Sequence, residues 1–161
     1  MGFPIRVYTL SYLLTGEVES QDAFLSWLNN PNKESLDLSE VEGLTLDPDA
    51  VLTSVTQWEV VVPKHQVMAI DMMSPEAAAW VTMPPRAEMA VLYTPRFIIQ
   101  AHLHPAGDMR VSNLLNMMSG IFFPTSHAQL HPIVPTRDLP TDYARLLIVN
   151  RSYVDFFHPQ A

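Results

Sequence analysis

The sequence predicts a mainly β fold in which one unit of about 70 residues occurs twice, giving two small, similar β-barrels. The chain aligns with itself at a nearly constant offset, and each copy contains short apolar runs that alternate with a period of two. Helical patterns are confined to short segments. Many short strands with tight turns are typical of a small barrel or sandwich.

The internal repeat is defined by an offset of 87 residues that needs no gap between residues 23 and 70. This offset places segments 23–29, 36–41 and 62–67 on segments 110–116, 123–128 and 149–154. Upstream the offset becomes 85, and Tyr12 to Glu19 fall on Phe97 to His104. The difference lies at the turn-forming cluster Pro105 to Asp108. Because insertions belong in turns, the position of this gap supports the alignment.

The repeat divides the chain into a first barrel (1–73), a linker (74–86) and a second barrel (87–161). Cores of this size are marginal alone, so the two barrels are expected to pack together. In the linker, Ser74 at the N-cap, Pro75 at the first helical position and an alanine run predict a short helix. Trp80 has two interpretations, either between the barrels or over the open end of one of them.

Each copy is predicted to contain a hairpin, a third strand and two short closing strands. In the first copy these are 5–9 with 12–19, 35–45, and 59–62 with 67–71. In the second copy the third strand is 122–131, and the closing strands are 146–149 and 154–157.

Composition excludes several classes of protein. There is no cysteine, which excludes disulfides, thiolate chemistry and cysteine zinc sites. No signal peptide and no apolar run of membrane-spanning length are present, so a cytoplasmic protein without membrane contact is predicted. Residues 1–75 carry three basic and eleven acidic residues, whereas residues 76–161 are neutral. An acidic first half repels phosphate backbones, so nucleic acid is not the expected partner.

Each copy also resembles the Sm-like fold, a bent five-stranded barrel whose order and spacing of strands and turns is shared by other SH3-like barrels. A small residue lies in the middle of the second strand (Gly16, Ala101), and the following loop ends in Leu28-Asn29 or Leu115-Asn116. The run from Leu115-Asn116 to Phe122-Phe123-Pro124 is in addition similar to a pattern in uncharacterised bacterial proteins.

The resemblance implies an RNA-binding site in the loops. It assigns the loop asparagine to Asn29 and Asn116, and it places Lys64 and Arg151 in the last turn, where the family has Arg-Gly. These four residues are the ligand-binding candidates. The family's loop aspartate is replaced by Leu25 and Ser112, and its N-terminal helix is absent. An alternative for the asparagines is a loop residue that bonds its own backbone.

A metal site is a further candidate in the second copy. His102 and His104 lie two apart on one strand and therefore face the same side. His127 lies on the third strand, which is expected to pair with that strand. Imidazoles suit Zn, Ni or Fe, so a divalent metal is the one cofactor considered. The alternative is that the alternation marks a solvent-facing surface.

No nucleophile triad, carboxylate pair or phosphate loop is recognisable, so an enzyme is not predicted. The sequence instead predicts a non-catalytic binding or assembly module, because a duplicated open barrel leaves strand edges to be paired. A protein partner or a second copy of the chain is the expected partner. An RNA-binding protein and a metal-binding protein are the alternatives.

Overall fold

The structure, a computed structural model, describes residues 2–19, 23–137, 139–140 and 143–160. The described part contains ten strands joined by short helices and turns, which confirms the mainly β class. The strands of the first half are β1 (Gly2–Tyr8), β2 (Tyr12–Glu19), β3 (Ser35–Thr45), β4 (Ser54–Pro63) and β5 (Ala69–Met72). Those of the second half are β6 (Glu88–Tyr93), β7 (Phe97–Leu103), β8 (Phe122–Pro132), β9 (Ala144–Asn150) and β10 (Phe156–Pro159).

The helices are all short. They are α1 (Phe24–Leu28), α2 (Pro75–Ala78) and α3 (Leu114–Met117), with single 3-10 turns at Lys64–Gln66, Val111–Asn113 and Arg151–Tyr153. The hairpin and third strand of the first half lie close to their predicted positions. The closing strands differ in their bounds: β4 begins at Ser54 and not at residue 59, β5 at Ala69 and not at 67, and β9 at Ala144 and not at 146. β10 runs from Phe156 to Pro159 and not from 154 to 157.

All ten strands form one antiparallel sheet, in the order β10-β6-β7-β8-β9-β5-β1-β2-β3-β4. The halves meet where β5 pairs with β9, through Ala69 with Val149, Ile70 with Ile148 and Asp71 with Leu147. We call this pairing the seam. It leaves β4 and β10 at the two ends of the sheet.

The strand pairs of the two halves share one register. Ile5 pairs with Gly16 and Ala90 with Ala101, an increment of 85 at both positions. Leu36 pairs with Val62 and Phe123 with Val149, an increment of 87 at both positions. A strand position in the first half therefore has a counterpart in the second, found by adding 85 in β1 and β2 and 87 in β3 to β5.

A β-bulge occurs at the same place in each half. The register of β2 with β3 shifts between Thr15 and Glu17, and that of β7 with β8 shifts between Gln100 and His102. The counterparts Glu40 and His127 have positive φ, 51° and 49°. Such backbone is uncommon outside glycine and here accommodates the extra residue that bends the strand.

The bulge explains why a small residue, Gly16, lies in the middle of β2. A Cβ on Gly16 would lie 2.9 Å from the main-chain oxygen of Ser39 on the bent β3. The strands approach too closely there for most side chains.

Two hydrophobic cores lie on opposite faces of the seam. The first combines residues of the first half with Phe122, Leu146 and Ile148. The second combines residues of the second half with Tyr8 and Leu13 among others. Each core therefore contains side chains from both halves, and this packing is what joins them.

The linker helix forms as predicted. The Ser74 hydroxyl accepts a hydrogen bond from the main-chain N–H of Ala77 at 3.0 Å, and Pro75 opens the helix. Trp80 stacks on Phe3 with ring centroids 6.2 Å apart, at the periphery of the first core. Of the two interpretations of Trp80, the one over a single core fits this contact.

Candidate functional site

The loop after β2 contains a side-chain contact that joins the two halves beside the seam. The side-chain amide of Asn29 donates to the main-chain oxygen of Phe122 at 3.0 Å and accepts from the main-chain N–H of Phe122 at 2.9 Å. Gly120 makes room for this pair, because a Cβ at Gly120 would overlap the Asn29 amide. Both polar functions of Asn29 are therefore occupied in joining the halves.

Lys64 and Arg151, counterparts at the offset of 87, each cap the end of a short helix. The Lys64 ammonium donates to the main-chain oxygens of Trp27 and Asn30 at 3.3 and 3.5 Å and lies 5.2 Å from the Trp27 ring centroid. Lys64 is buried, and this burial, followed by the charge of Lys33, lowers its pKa. Such carbonyl contacts satisfy groups that a helix end leaves unpaired.

Arg151 makes the corresponding contacts in the second half. Its guanidinium donates to the main-chain oxygens of Leu115 and Met118 at 3.1 and 3.4 Å. Asn116, the last of the four predicted ligand-binding residues, is exposed on α3. The geometry thus gives Asn29, Lys64 and Arg151 roles in holding the fold together.

A cavity of about 890 Å³ lies beside the seam loops. Among its lining residues are Asn29, Lys33, Lys64 and His65 of the first half and Gly120 of the second. Lys33 and His65 are exposed, so their cationic or polar ends are available to a ligand. Two of the four predicted ligand-binding residues, Asn29 and Lys64, therefore lie together at one cavity.

Two of the three predicted metal ligands lie close together. The rings of His102 and His127 are 5.4 Å apart in an edge-to-face arrangement. The pKa of His102 is lowered by partial burial first, and then by His127 and His104. His127 is exposed at the bulge.

His104 is directed into other contacts. Its Nδ1 lies 3.0 Å from the main-chain oxygen of Pro84, which assigns the proton to Nδ1, and its Nε2 lies 2.6 Å from the Ser126 hydroxyl. Over the described residues, no group of three or more histidine, cysteine or acidic side chains is arranged to hold a metal ion. The predicted metal site stays a prediction, with two imidazoles in place.

The sequence interpretation missed the free edge at β4. This strand is ten residues long and ends the sheet. Trp58 is 70% exposed and Val61 is 65% exposed, whereas the neighbouring Val62 is buried against the first core. The β-branched and aromatic run from Ser54 to Val62 was the available signal for a longer strand.

An edge of this kind presents unpaired main-chain groups. Inside the chain, Asn150 of β9 donates its main-chain N–H across the seam to Met68 at 2.9 Å. Hydrogen-bonding direction alternates along a strand, so the N–H of Ile148 faces the seam as well. The counterpart of Ile148 is Val61, whose N–H faces outward from the edge of the sheet.

No family model matches the sequence, and neither the curated proteins nor the solved structures contain a match. None of the helices within the described ranges is long and apolar enough to cross a bilayer.

Proposed function

We propose that this chain is a non-catalytic assembly module, a duplicated small β-barrel unit of Sm-like type, that joins another chain by strand addition at β4. The duplication is supported by the common register of the two halves at increments of 85 and 87. It is supported further by bulges at the counterpart residues Glu40 and His127.

One observation carries the assembly function. In the second half, β9 is paired on its outer side by β5, whereas β4, its counterpart in the first half, ends the sheet. A strand edge of this length with exposed apolar side chains is a template for pairing with another chain. Trp58 and Val61 supply apolar area that such a contact removes from water.

The edge is not a general aggregation surface. Glu59 places a charge among the apolar residues of β4, and Pro63 ends the strand without an N–H. Charges and prolines are features that limit uncontrolled pairing at edges. We therefore expect a reversible association that depends on protein concentration.

The test is the solution mass of the protein over a wide range of concentration, measured by light scattering. The wild-type mass is expected to rise above the monomer value of 18.2 kDa as concentration increases. Val61→Pro removes the outward-facing N–H and is expected to remain monomeric. Val61→Thr keeps that N–H and the β-branched shape, and serves as the matched control that still associates. Thermal unfolding verifies that both variants are folded.

Two results would contradict the assembly function. One is a wild-type protein that stays at 18.2 kDa at every concentration. The other is a folded Val61→Pro variant that associates as strongly as the wild type.

A second candidate function is favoured by the cavity of about 890 Å³ that Asn29 lines, where Lys33 and His65 are exposed. We propose it as a site for a phosphate-bearing ligand such as short single-stranded RNA. Fluorescence titration with a short RNA at moderate salt, and with inorganic phosphate alone, tests this. Binding that Lys33→Glu weakens supports it, and no binding of either probe removes it.

A further inference from the structure

Among the described residues the sheet ends in two strand edges, β4 and β10, and they differ in length. β4 has ten residues and β10 has four. A head-to-tail contact between copies would pair β4 of one chain with β10 of the next, as β9 pairs with β5 inside the chain. The counterpart register of that contact sets Val61 opposite Phe157, as Ile148 is set opposite Ile70. The side chains and main-chain groups at this register decide whether the contact is favourable.

Two prolines remove hydrogen bonds from the head-to-tail contact. Inside the chain, the main-chain N–H of Asn150 donates to Met68 at 2.9 Å. The counterpart of Asn150 is Pro63, which has no N–H to donate. At the other end of the overlap, Met72 of β5 has Pro159 of β10 as its counterpart. The β4–β10 contact between chains would therefore have fewer main-chain hydrogen bonds than the β9–β5 seam.

In the head-to-tail contact a side chain would occupy space that is open beside the seam. Gly120 admits the Asn29 amide to the backbone of Phe122. The counterpart of Gly120 is Lys33, and the counterpart of Asn29 is Asn116. A head-to-tail contact would bring the Lys33 side chain against Asn116 and prevent the same close approach.

Residues that are apolar near the seam have polar counterparts at the free edge of the first half. Phe122 and Leu146 are buried in the first core. Their counterparts on β3 and β4 are Ser35 and Glu59. Burial of Glu59 would require a partner charge, and Ser35 supplies little apolar area. Hydrogen bonds, space and apolar area therefore all disfavour the head-to-tail contact.

We propose that β4 instead pairs with β4 of a second copy, antiparallel about a two-fold axis at Glu59. This inference rests on the proposed assembly function and names its partner. Glu59 lies near the middle of Ser54–Pro63, so an axis there lets the two strands overlap along almost their whole length. Two-fold contacts between identical surfaces are the commonest oligomer symmetry, and they close at two copies.

The side chains of β4 suit this arrangement. The axis brings the two exposed Trp58 residues together, and a central buried aromatic residue is a frequent source of binding energy. Pro63 then lies at the margin of the overlap, where its missing N–H removes little. Val61 of each copy lies opposite Gln57 of the partner strand, one pair of residues away from the axis.

The position of Glu59 gives the dimer a dependence on salt. Each Glu59 lies next to the axis, so two carboxylates approach each other in the dimer. Both copies also carry a net charge of −8. Like charges repel, and salt screens that repulsion, so dimerisation is expected to strengthen as salt rises. Glu59→Gln is expected to strengthen it several-fold at low salt.

Cysteine cross-linking is a clean test, because the chain has no cysteine of its own. Residues opposite each other in an antiparallel pair have Cα separations of about 4.5–5.5 Å, which a disulfide can span. A single Glu59→Cys substitution places two thiols near the two-fold axis. Val51→Cys, at a fully exposed position outside the strands, is the control for chance collisions. The double variant Val61→Cys with Phe157→Cys reports the head-to-tail contact.

The proposal expects a cross-linked dimer from Glu59→Cys under mild oxidation, little from Val51→Cys, and no series of larger products from the double variant. A ladder of dimers, trimers and larger species from the double variant, with no dimer from Glu59→Cys, would overturn the two-fold contact and leave edge assembly standing. A monomer in every case, with a wild type that never associates, would overturn both.

Discussion

Loss of the Asn29 side chain should directly weaken the union of the two halves. It forms two hydrogen bonds with the backbone of Phe122, 2.9 and 3.0 Å long, across a sequence separation of 93 residues. Asn29→Ala removes both bonds and leaves the N–H and oxygen of a nearly fully buried residue without these partners. Each such bond contributes about 0.5–1.5 kcal/mol net, and unsatisfied groups add to the loss. We expect a loss of about 2 kcal/mol.

The repeat supplies the matched control for this substitution. Asn116 is the counterpart of Asn29 but is exposed on α3, so Asn116→Ala should change stability by less than about 0.5 kcal/mol. Asn29→Asp should fall between the wild type and Asn29→Ala. It retains the acceptor for the Phe122 N–H, but loses the donor and sets a carboxylate against the Phe122 carbonyl.

Urea denaturation followed by circular dichroism, at low protein concentration, measures these differences. Because each core contains residues of both halves, a single transition with an unchanged m-value is expected. Equal losses from Asn29→Ala and Asn116→Ala, or a loss below about 0.5 kcal/mol for Asn29→Ala, would refute the assigned role of this contact.

Three further predictions concern the seam and the titrating groups. Gly120→Ala should destabilise the protein because the new Cβ collides with the Asn29 amide, and a double-mutant cycle should show a smaller cost in the Asn29→Ala background. Burial raises the pKa of Asp71, and Arg6 opposes this rise. The protonated carboxyl therefore adds to the free energy of unfolding below the pKa that Asp71 has in the unfolded chain, and this addition is lost as pH rises through its pKa in the folded protein. Asp71→Asn should reduce this decline of the unfolding free energy with pH. His127→Gln should raise the lowered pKa of His102, as followed by NMR titration, whereas an unchanged value would leave burial and His104 as its causes.

Local patterns in the sequence predicted the elements that depend on neighbours along the chain. The alternation in β2 and β7, and the Ser74-Pro75 start of α2, report burial and capping within a few residues. The start of β4 was missed because Thr56 and Gln57 interrupt the apolar run before Trp58. In an edge strand, exposed polar residues are compatible with a strand, so interruption of the run does not mark its end.

The roles of the loop residues depended on contacts that local patterns do not contain. Asn29 was a candidate for ligand contact or for bonding its own loop, and in the structure its amide bonds a residue 93 positions away. His104 was grouped with His102 by strand alternation, but its Nδ1 meets the carbonyl of Pro84 in the linker. In both cases one partner is a main-chain group, which carries no signature in the sequence.

A comparison of the two copies with each other contains the missing information about the seam. The counterpart runs are Glu59-Val60-Val61-Val62 and Leu146-Leu147-Ile148-Val149. Every residue of the second run is buried, since alternate side chains of β9 enter the two different cores. A continuous apolar run is typical of a strand covered on both faces, whereas a run with a charge is typical of one with an open face. Where two copies share a register, the copy with the unbroken apolar strand is therefore the one whose strand lies inside the sheet. The copy whose strand carries a charge marks the free edge.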